Sequence, residues 1–235
     1  MDLGTIIDAA VARDPSALAF VDGDIRKSFA GWQDDISRVA GGLQKKGLAR
    51  GDHLVAIMAN RYEMATLYWA CQRLAAIFTP FNWRATADDI AFVLEDAEAV
   101  LVVFDDGAAP AVKEAAAKSG LQNDALIAVS GGGAGISFDD LLRADPILSP
   151  AGAADHETCL MLYTSGTTGR PKGVPRSHRA ERTAAASCIA HLRYEFGESQ
   201  LGVMPLFHTM GIRILLASAM LNGAFINMRG FDAGG

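Results

Sequence analysis

Tyr163-Thr164-Ser165-Gly166-Thr167-Thr168-Gly169-Arg170-Pro171-Lys172-Gly173-Val174 closes an apolar run that begins Cys159-Leu160-Met161-Leu162. The run has the character of a buried strand. Four hydroxyl residues and three glycines then fall within residues 164 to 173, with Lys172 near the end. Glycines admit positive φ and let a ligand come close to the backbone. Successive N–H groups in such a loop form an anion-binding concavity. The hydroxyls of Thr164, Ser165, Thr167 and Thr168 add short donors, and Lys172 adds a mobile point charge suited to phosphate. Strand, loop and lysine together ask for a polyphosphate; the plainer alternative is a flexible Gly/Thr linker.

Two better-known phosphate patterns do not fit. The nucleoside triphosphatase loop needs G-x-x-x-x-G-K-[ST], but Pro171 stands five after Gly166 and Gly173 follows Lys172. The G-x-G-x-x-G spacing of a dinucleotide fold is absent from this stretch.

Working outward, the order of elements predicts an α/β fold. Residues 3 to 13 have helical spacing, and Ala17–Val21 with Ile25–Phe29 flank Asp22-Gly23-Asp24 as a hairpin. A helix is predicted from Trp32 to Leu48, with Gly47 as its stop. Leu54–Met58, Val100–Phe104 and Ala125–Val129 are apolar runs suited to strands covered on both faces. Helices are expected from Asn60 to Leu74, from an N-cap at Thr86, and over Ala111–Ser119; Ile77–Pro80 makes a short strand. Ser130–Gly135 lacks a lysine and a clear helix N-terminus directly after it, so it is expected to be a solvated loop, with a short helix further on at Phe138–Leu142. Ser177 can cap a helix to about Tyr194. Leu201–Met204 and Ala224–Met228 are strands around a helix at Ile212–Leu221. The alternation argues for layered parallel or mixed sheets with flanking helices. Any internal boundary is expected in Pro146–Glu157, separating a first subdomain (1–155) from a second unit (156–235).

Composition narrows the class. The chain has 235 residues, half of them hydrophobic, enough for a sizeable core. A formal net charge of −6 argues against general nucleic-acid binding. No apolar run reaches the ~18–20 residues that span a bilayer. Met1-Asp2-Leu3-Gly4 shows no basic stretch followed by an apolar one. The three cysteines, Cys71, Cys159 and Cys188, suit reduced thiols in apolar settings rather than disulfides or zinc. A cytoplasmic location is expected.

Tyr163 to Val174 resembles the signature phosphate loop of the adenylate-forming enzymes: acyl-CoA synthetases, firefly-type luciferases and peptide-synthetase adenylation domains. Pro205-Leu206-Phe207-His208-Thr209-Met210-Gly211 resembles that family's next motif. Gly51-Asp52 to Asn60 and Phe78-Thr79-Pro80-Phe81-Asn82-Trp83-Arg84 are similar to its upstream pattern. The resemblance implies an AMP-forming carboxylate–CoA ligase, acting on a fatty or aryl acid, that uses ATP, Mg²⁺ and coenzyme A. Thr164, Ser165, Gly166, Thr167, Thr168, Gly169 and Lys172 would be the nucleotide positions, with Gly169 shaping the backbone and Thr164 a candidate Mg²⁺ ligand. His208 and Lys172 would be the catalytic residues. His208, Thr209, Met210 and Gly211 would line the acyl site, the small Gly211 leaving room for the acid.

Each assignment has a plainer counterpart. His208 can be a histidine packed at a strand end. Arg176, His178, Arg179 and Arg182, of which the three arginines are expected to share a helix face, can be a solvated surface balanced by Glu181. Arg61–Glu63 and Trp83-Arg84 have similar solvated or packing readings. Members of the family continue well past Phe231–Gly235, so an incomplete N-terminal domain, lacking the C-terminal one, is expected, with self-association through the uncovered surface. The chain is then either the first half of a ligase, peptide-synthetase adenylation included, or a nucleotide-binding remnant or interaction module.

Overall fold

The computed structural model describes residues 2–130, 136–165 and 170–230. Among them, seven strands form one sheet: β3 His53–Ile57, β4 Ile77–Phe81, β5 Ala99–Phe104, β6 Leu126–Ala128, β7 Ile136–Ser137, β8 Thr158–Ser165 and β9 Pro171–Ser177. Their order is β7-β6-β5-β3-β4-β8-β9, parallel throughout except for β9, which runs antiparallel to β8.

The apolar runs explain the layering. Successive strand residues point to opposite faces. Leu54 and Ala56 of β3, with Leu101 and Val103 of β5, enter one core; Val55, Ile57, Val102 and Phe104 enter the other. The second core is completed by Ile90, Val93 and Leu94 of α4 (Ala87–Asp96) and by Val112 and Ala115 of α5 (Ala109–Ser119). The first is filled by α1 (Ile6–Arg13), α2 (Phe29–Lys45) and α3 (Tyr62–Leu74). The expected N-caps form: Thr86 Oγ1 accepts from Asp89 N–H and Ser177 Oγ from Ala180 N–H, at the start of α7 (His178–Leu192). Gly47 lies at φ 95° just past α2, the left-handed geometry expected of a helix stop. Phe138–Leu142 is the short helix α6.

A second sheet joins distant segments. β10 (Gln200–Gly202), β11 (Phe225–Asn227), β1 (Leu18–Asp22) and β2 (Ile25–Ser28) lie in that order. β1 pairs in parallel with β11, setting Phe20 beside Phe225 with ring centroids 5.7 Å apart. Trp32 packs on Phe20 at 4.9 Å and donates from Nε1 to Thr66 Oγ1 at 2.9 Å. Both sheets thus draw strands from either side of the Pro146–Glu157 connection.

The structure corrects three expectations. Residues 171–174, taken with the loop, belong to β9, which runs from Pro171 to Ser177. Pro171 and Pro175 have the same strand parity, so both turn their donor-less nitrogens to the free edge, where proline is tolerated. The last long helix, α8, spans Thr209–Met220 and therefore starts at the residue after His208. Arg176 lies in β9, not on a helix face with Arg179 and Arg182.

Candidate functional site

A cleft of about 690 Å³ opens at the carboxyl ends of β4 and β8. Ligands of open α/β sheets collect at this end of parallel strands. Its first wall is the β4–α4 connection: Pro80, Phe81, Asn82, Arg84, Ala85, Thr86 and Asp89. Asn82 folds the turn, its Oδ1 accepting from Arg84 N–H at 3.0 Å and its carbonyl from Ala85 N–H at 3.0 Å. Thr86 Oγ1 donates to Asp89 Oδ2 at 2.8 Å, and Arg84 stacks over Trp83 at 4.2 Å.

The second wall is the β8–β9 hairpin, with Tyr163, Thr164, Arg170 and Pro171. Tyr163 is fixed, its hydroxyl donating to Asp96 Oδ2 at 2.6 Å and its ring edge-on to Phe81 at 6.0 Å. Burial and that carboxylate push its phenol up, so it stays protonated. Thr164 is exposed toward the cleft. Arg170 lies over the Phe92 ring at 5.5 Å. Lys172 is exposed directly opposite Thr164 in the ladder and, among the described residues, makes no hydrogen bond or ion pair. It does not line the cleft itself. Gly166, Thr167, Thr168 and Gly169, and the Ser165 side chain, lie outside the described residues.

The third wall comes from the other sheet. Beyond β10 the chain brings Phe207 and His208 into the cleft, their rings 4.6 Å apart. His208 is exposed and occupies the N-cap position of α8, yet its side chain makes no cap bond, which leaves the ring nitrogens to the cleft. Thr209, Met210 and Gly211 do not line this cleft. Thr209 Oγ1 is buried without a partner among the described residues, and Met210 lines a separate hollow with Cys188 and His191. Beside Gly211, an added Cβ would sit 2.3 Å from the Pro205 carbonyl oxygen. The glycine lets α8 pack closely on its own leading loop.

Arg176, His178 and Arg182 of the downstream basic cluster are committed elsewhere. Arg176 donates to the fully buried Glu181, and Arg182 forks onto Asp155 at 2.7 and 3.1 Å. His178 is buried, its Nδ1 accepting from Leu3 N–H at 3.1 Å. Arg61 pairs with Glu63 at 2.7 Å. Cys71, Cys159 and Cys188 are free; burial raises the first two thiols, which disfavours a thiolate nucleophile. Among the described residues no cluster of three His, Cys, Asp or Glu could cage a metal, and no helix is long and apolar enough to cross a membrane. Thr164 offers a single neutral oxygen, which suits a Mg²⁺ that arrives on a nucleotide and keeps phosphate and water ligands. Arg84 and Arg170 also line the cleft, a position that the sequence does not signal, because an arginine beside a loop usually marks a solvated surface.

The AMP-binding enzyme family model matches residues 7–233. The long-chain-fatty-acid–CoA ligase FadD13 of Mycobacterium tuberculosis is 28% identical over 99% of this chain and 46% of its own length. The 4-coumarate–CoA ligase 5 of Oryza sativa subsp. japonica is 34% identical over 83% of this chain and 36% of its own. The crystal structure of a putative long-chain-fatty-acid CoA ligase from Rhodopseudomonas palustris superposes with a TM-score of 0.91 at 27% identity, covering 99% of this chain and 58% of that one. The chain spans less than half the length of both these sequence relatives. It belongs to the AMP-binding enzyme family.

Proposed function

We propose, from that membership, that the chain is the N-terminal part of an AMP-forming carboxylate–CoA ligase. In this reaction a carboxylate oxygen attacks the α-phosphorus of ATP, and pyrophosphate leaves. The thiol of coenzyme A then attacks the acyl-adenylate carbonyl, and AMP leaves with the thioester formed. The observation that carries the proposal is that Thr164 of the phosphate hairpin and His208 of the following motif open on one cleft.

The first step brings two anions together, so their repulsion must be offset by fixed donors and cations. Lys172 and the loop it follows would hold the β- and γ-phosphates, and Mg²⁺ would lower their charge, with Thr164 as the chain's own ligand. His208 would sit where carboxylate and α-phosphate meet. Arg84 and Arg170 raise the positive potential of the same cleft. A fatty or aryl acid is the substrate class, in keeping with the names of both sequence relatives. A cytoplasmic location belongs to the same reading.

Carboxylate-dependent ATP–pyrophosphate exchange with a panel of fatty and aromatic acids tests the reading. Exchange with one acid identifies the substrate. A second reading is a cleft that binds phosphate through the paired Thr164 and Lys172 without turnover. Tight Mg·ATP binding with silence across the panel would decide for it.

A further inference from the structure

We propose that Asn60 is the positioning residue for His208. Asn60 follows β3, the strand flanked by β4 and β5 inside the large sheet, and is 7% exposed. Its Nδ2 donates to the Met204 carbonyl at 3.0 Å and to that of Gly202 at 3.5 Å. Its Oδ1 accepts from Leu206 N–H at 2.7 Å. One amide therefore clasps the backbone from the end of β10 to Leu206, which is itself fully buried. Phe207 and His208 come next in the chain and project into the cleft.

The clasp is anchored on its own side. Ala59 N–H donates to Asp105 Oδ2 at 2.9 Å, and Tyr62 N–H to Asp22 Oδ2 at 3.0 Å. Arg229 holds Asp22 with bonds of 2.8 and 3.0 Å, and Asn227 Nδ2 donates to the Asn60 carbonyl at 3.2 Å. Asn60 thus transmits the placement of a central strand of one sheet to a loop leaving an edge strand of the other. Only an amide offers donor and acceptor together at this size. An aspartate would keep the shape but turn a carboxylate oxygen toward two carbonyls. Nothing in the sequence signals this role, since an asparagine after a strand usually serves only its own turn.

The inference rests on the reading of His208 as the residue at the acid–phosphate junction, and its test separates the two. Carbon-13 labelling of the ring ε1 position gives a resonance for each of the five histidines in the full chain. His208 is assigned by His208→Gln. Asn60→Asp is compared with Asn222→Gly, which removes a part-buried bond from Arg13 and a buried one to Ala10 at a residue whose φ of 52° suits glycine. Without ligand, Asn60→Asp should displace or broaden the His208 signal, which lies in the ring current of Phe207, and leave His53, His156, His178 and His191 in place. Asn222→Gly should lower the melting temperature and move none of the five. Asn60→Ser gives the same comparison if the aspartate variant does not fold. An unmoved His208 in the Asn60 variants, or equal displacement in Asn222→Gly, overturns the proposal.

With Mg·ATP present, octanoate or 4-coumarate is then titrated. Asn60 variants should bind the acid about tenfold more weakly, the scale of a lost hydrogen bond or two, while Mg·ATP affinity holds. If neither acid perturbs wild-type His208, the junction reading fails, and the ligand-free spectra still decide whether Asn60 places the ring.

Discussion

Thr164 and Lys172 stand directly opposite each other in the β8–β9 ladder. Opposed residues of an antiparallel pair share a face, so the hydroxyl and the ammonium act on the same side of the hairpin. Both are exposed, and among the described residues Lys172 has no partner. Lys172→Ala should therefore leave the melting temperature unchanged. Calorimetric titration with Mg·ATP should show binding weakened about 10- to 100-fold, the scale of a lost charge-assisted contact. Unchanged affinity would remove Lys172 from the site.

His208 is exposed and belongs to no core, so its replacement tests chemistry rather than folding. His208→Ala should reduce carboxylate-dependent pyrophosphate exchange by about 10²-fold, as removal of a fixed donor at a developing charge does. Mg·ATP binding should survive. His208→Phe separates two roles: it restores an aromatic wall beside Phe207 without an N–H. Recovery of exchange with phenylalanine would reduce His208 to a wall.

How much of this was legible depended on the range of the interactions. The β3 and β5 strands announced themselves because a strand covered on both faces has no polar alternation to hide it. Thr86 and Ser177 were legible as caps because a cap is local to three residues. β9 was not, since two prolines and a glycine in seven residues argue against a strand until its free edge is known. The pairing of Phe20 with Phe225 leaves no trace in either segment, because parallel strands joined across most of the chain share no turn. In the site, the phosphate motif and His208 were readable as patterns. Asn60 and Arg170 were not, because each acquires its role from a segment far away in sequence.

Gly211 shows what such distant packing demands. Its absent side chain admits the carbonyls of Pro205 and Met204, which would lie 2.3 and 2.8 Å from an added Cβ. Gly211→Ala must displace the loop leading to His208 or the first turn of α8. Overpacking of this kind costs about 1–3 kcal/mol, and each kcal/mol lowers the melting temperature by about 2–4 °C in a chain of this size. Gly230→Ala is the control, since nothing lies within 4 Å of a Cβ there. A scanning-calorimetry trace of Gly211→Ala matching that of Gly230→Ala would contradict the packing role.

His178 sets a pH dependence whose sign follows from its bond. Its Nδ1 accepts from Leu3 N–H, which requires a bare ring nitrogen and hence neutral imidazole. The ring is 1% exposed, and burial holds its pKa below the ordinary 6.5 against the opposing pull of Asp2, Glu157 and Asp155. Between the folded value and 6.5 the unfolded chain binds the extra proton and the folded one does not. Stability therefore rises with pH through that window, is complete above 6.5, and is lost as pH falls below it. His53, whose Nδ1 lies 2.8 Å from Thr79 Oγ1, is also depressed by burial and adds a slope of the same sign. The urea midpoint should drop between pH 7.5 and 5.5. His178→Gln should cost about 1–3 kcal/mol at pH 7.5 by leaving a buried N–H unmet, yet show a shallower drop on acidification, because the proton-linked part has been removed. A variant that keeps the full wild-type slope would place the linkage on His53 alone.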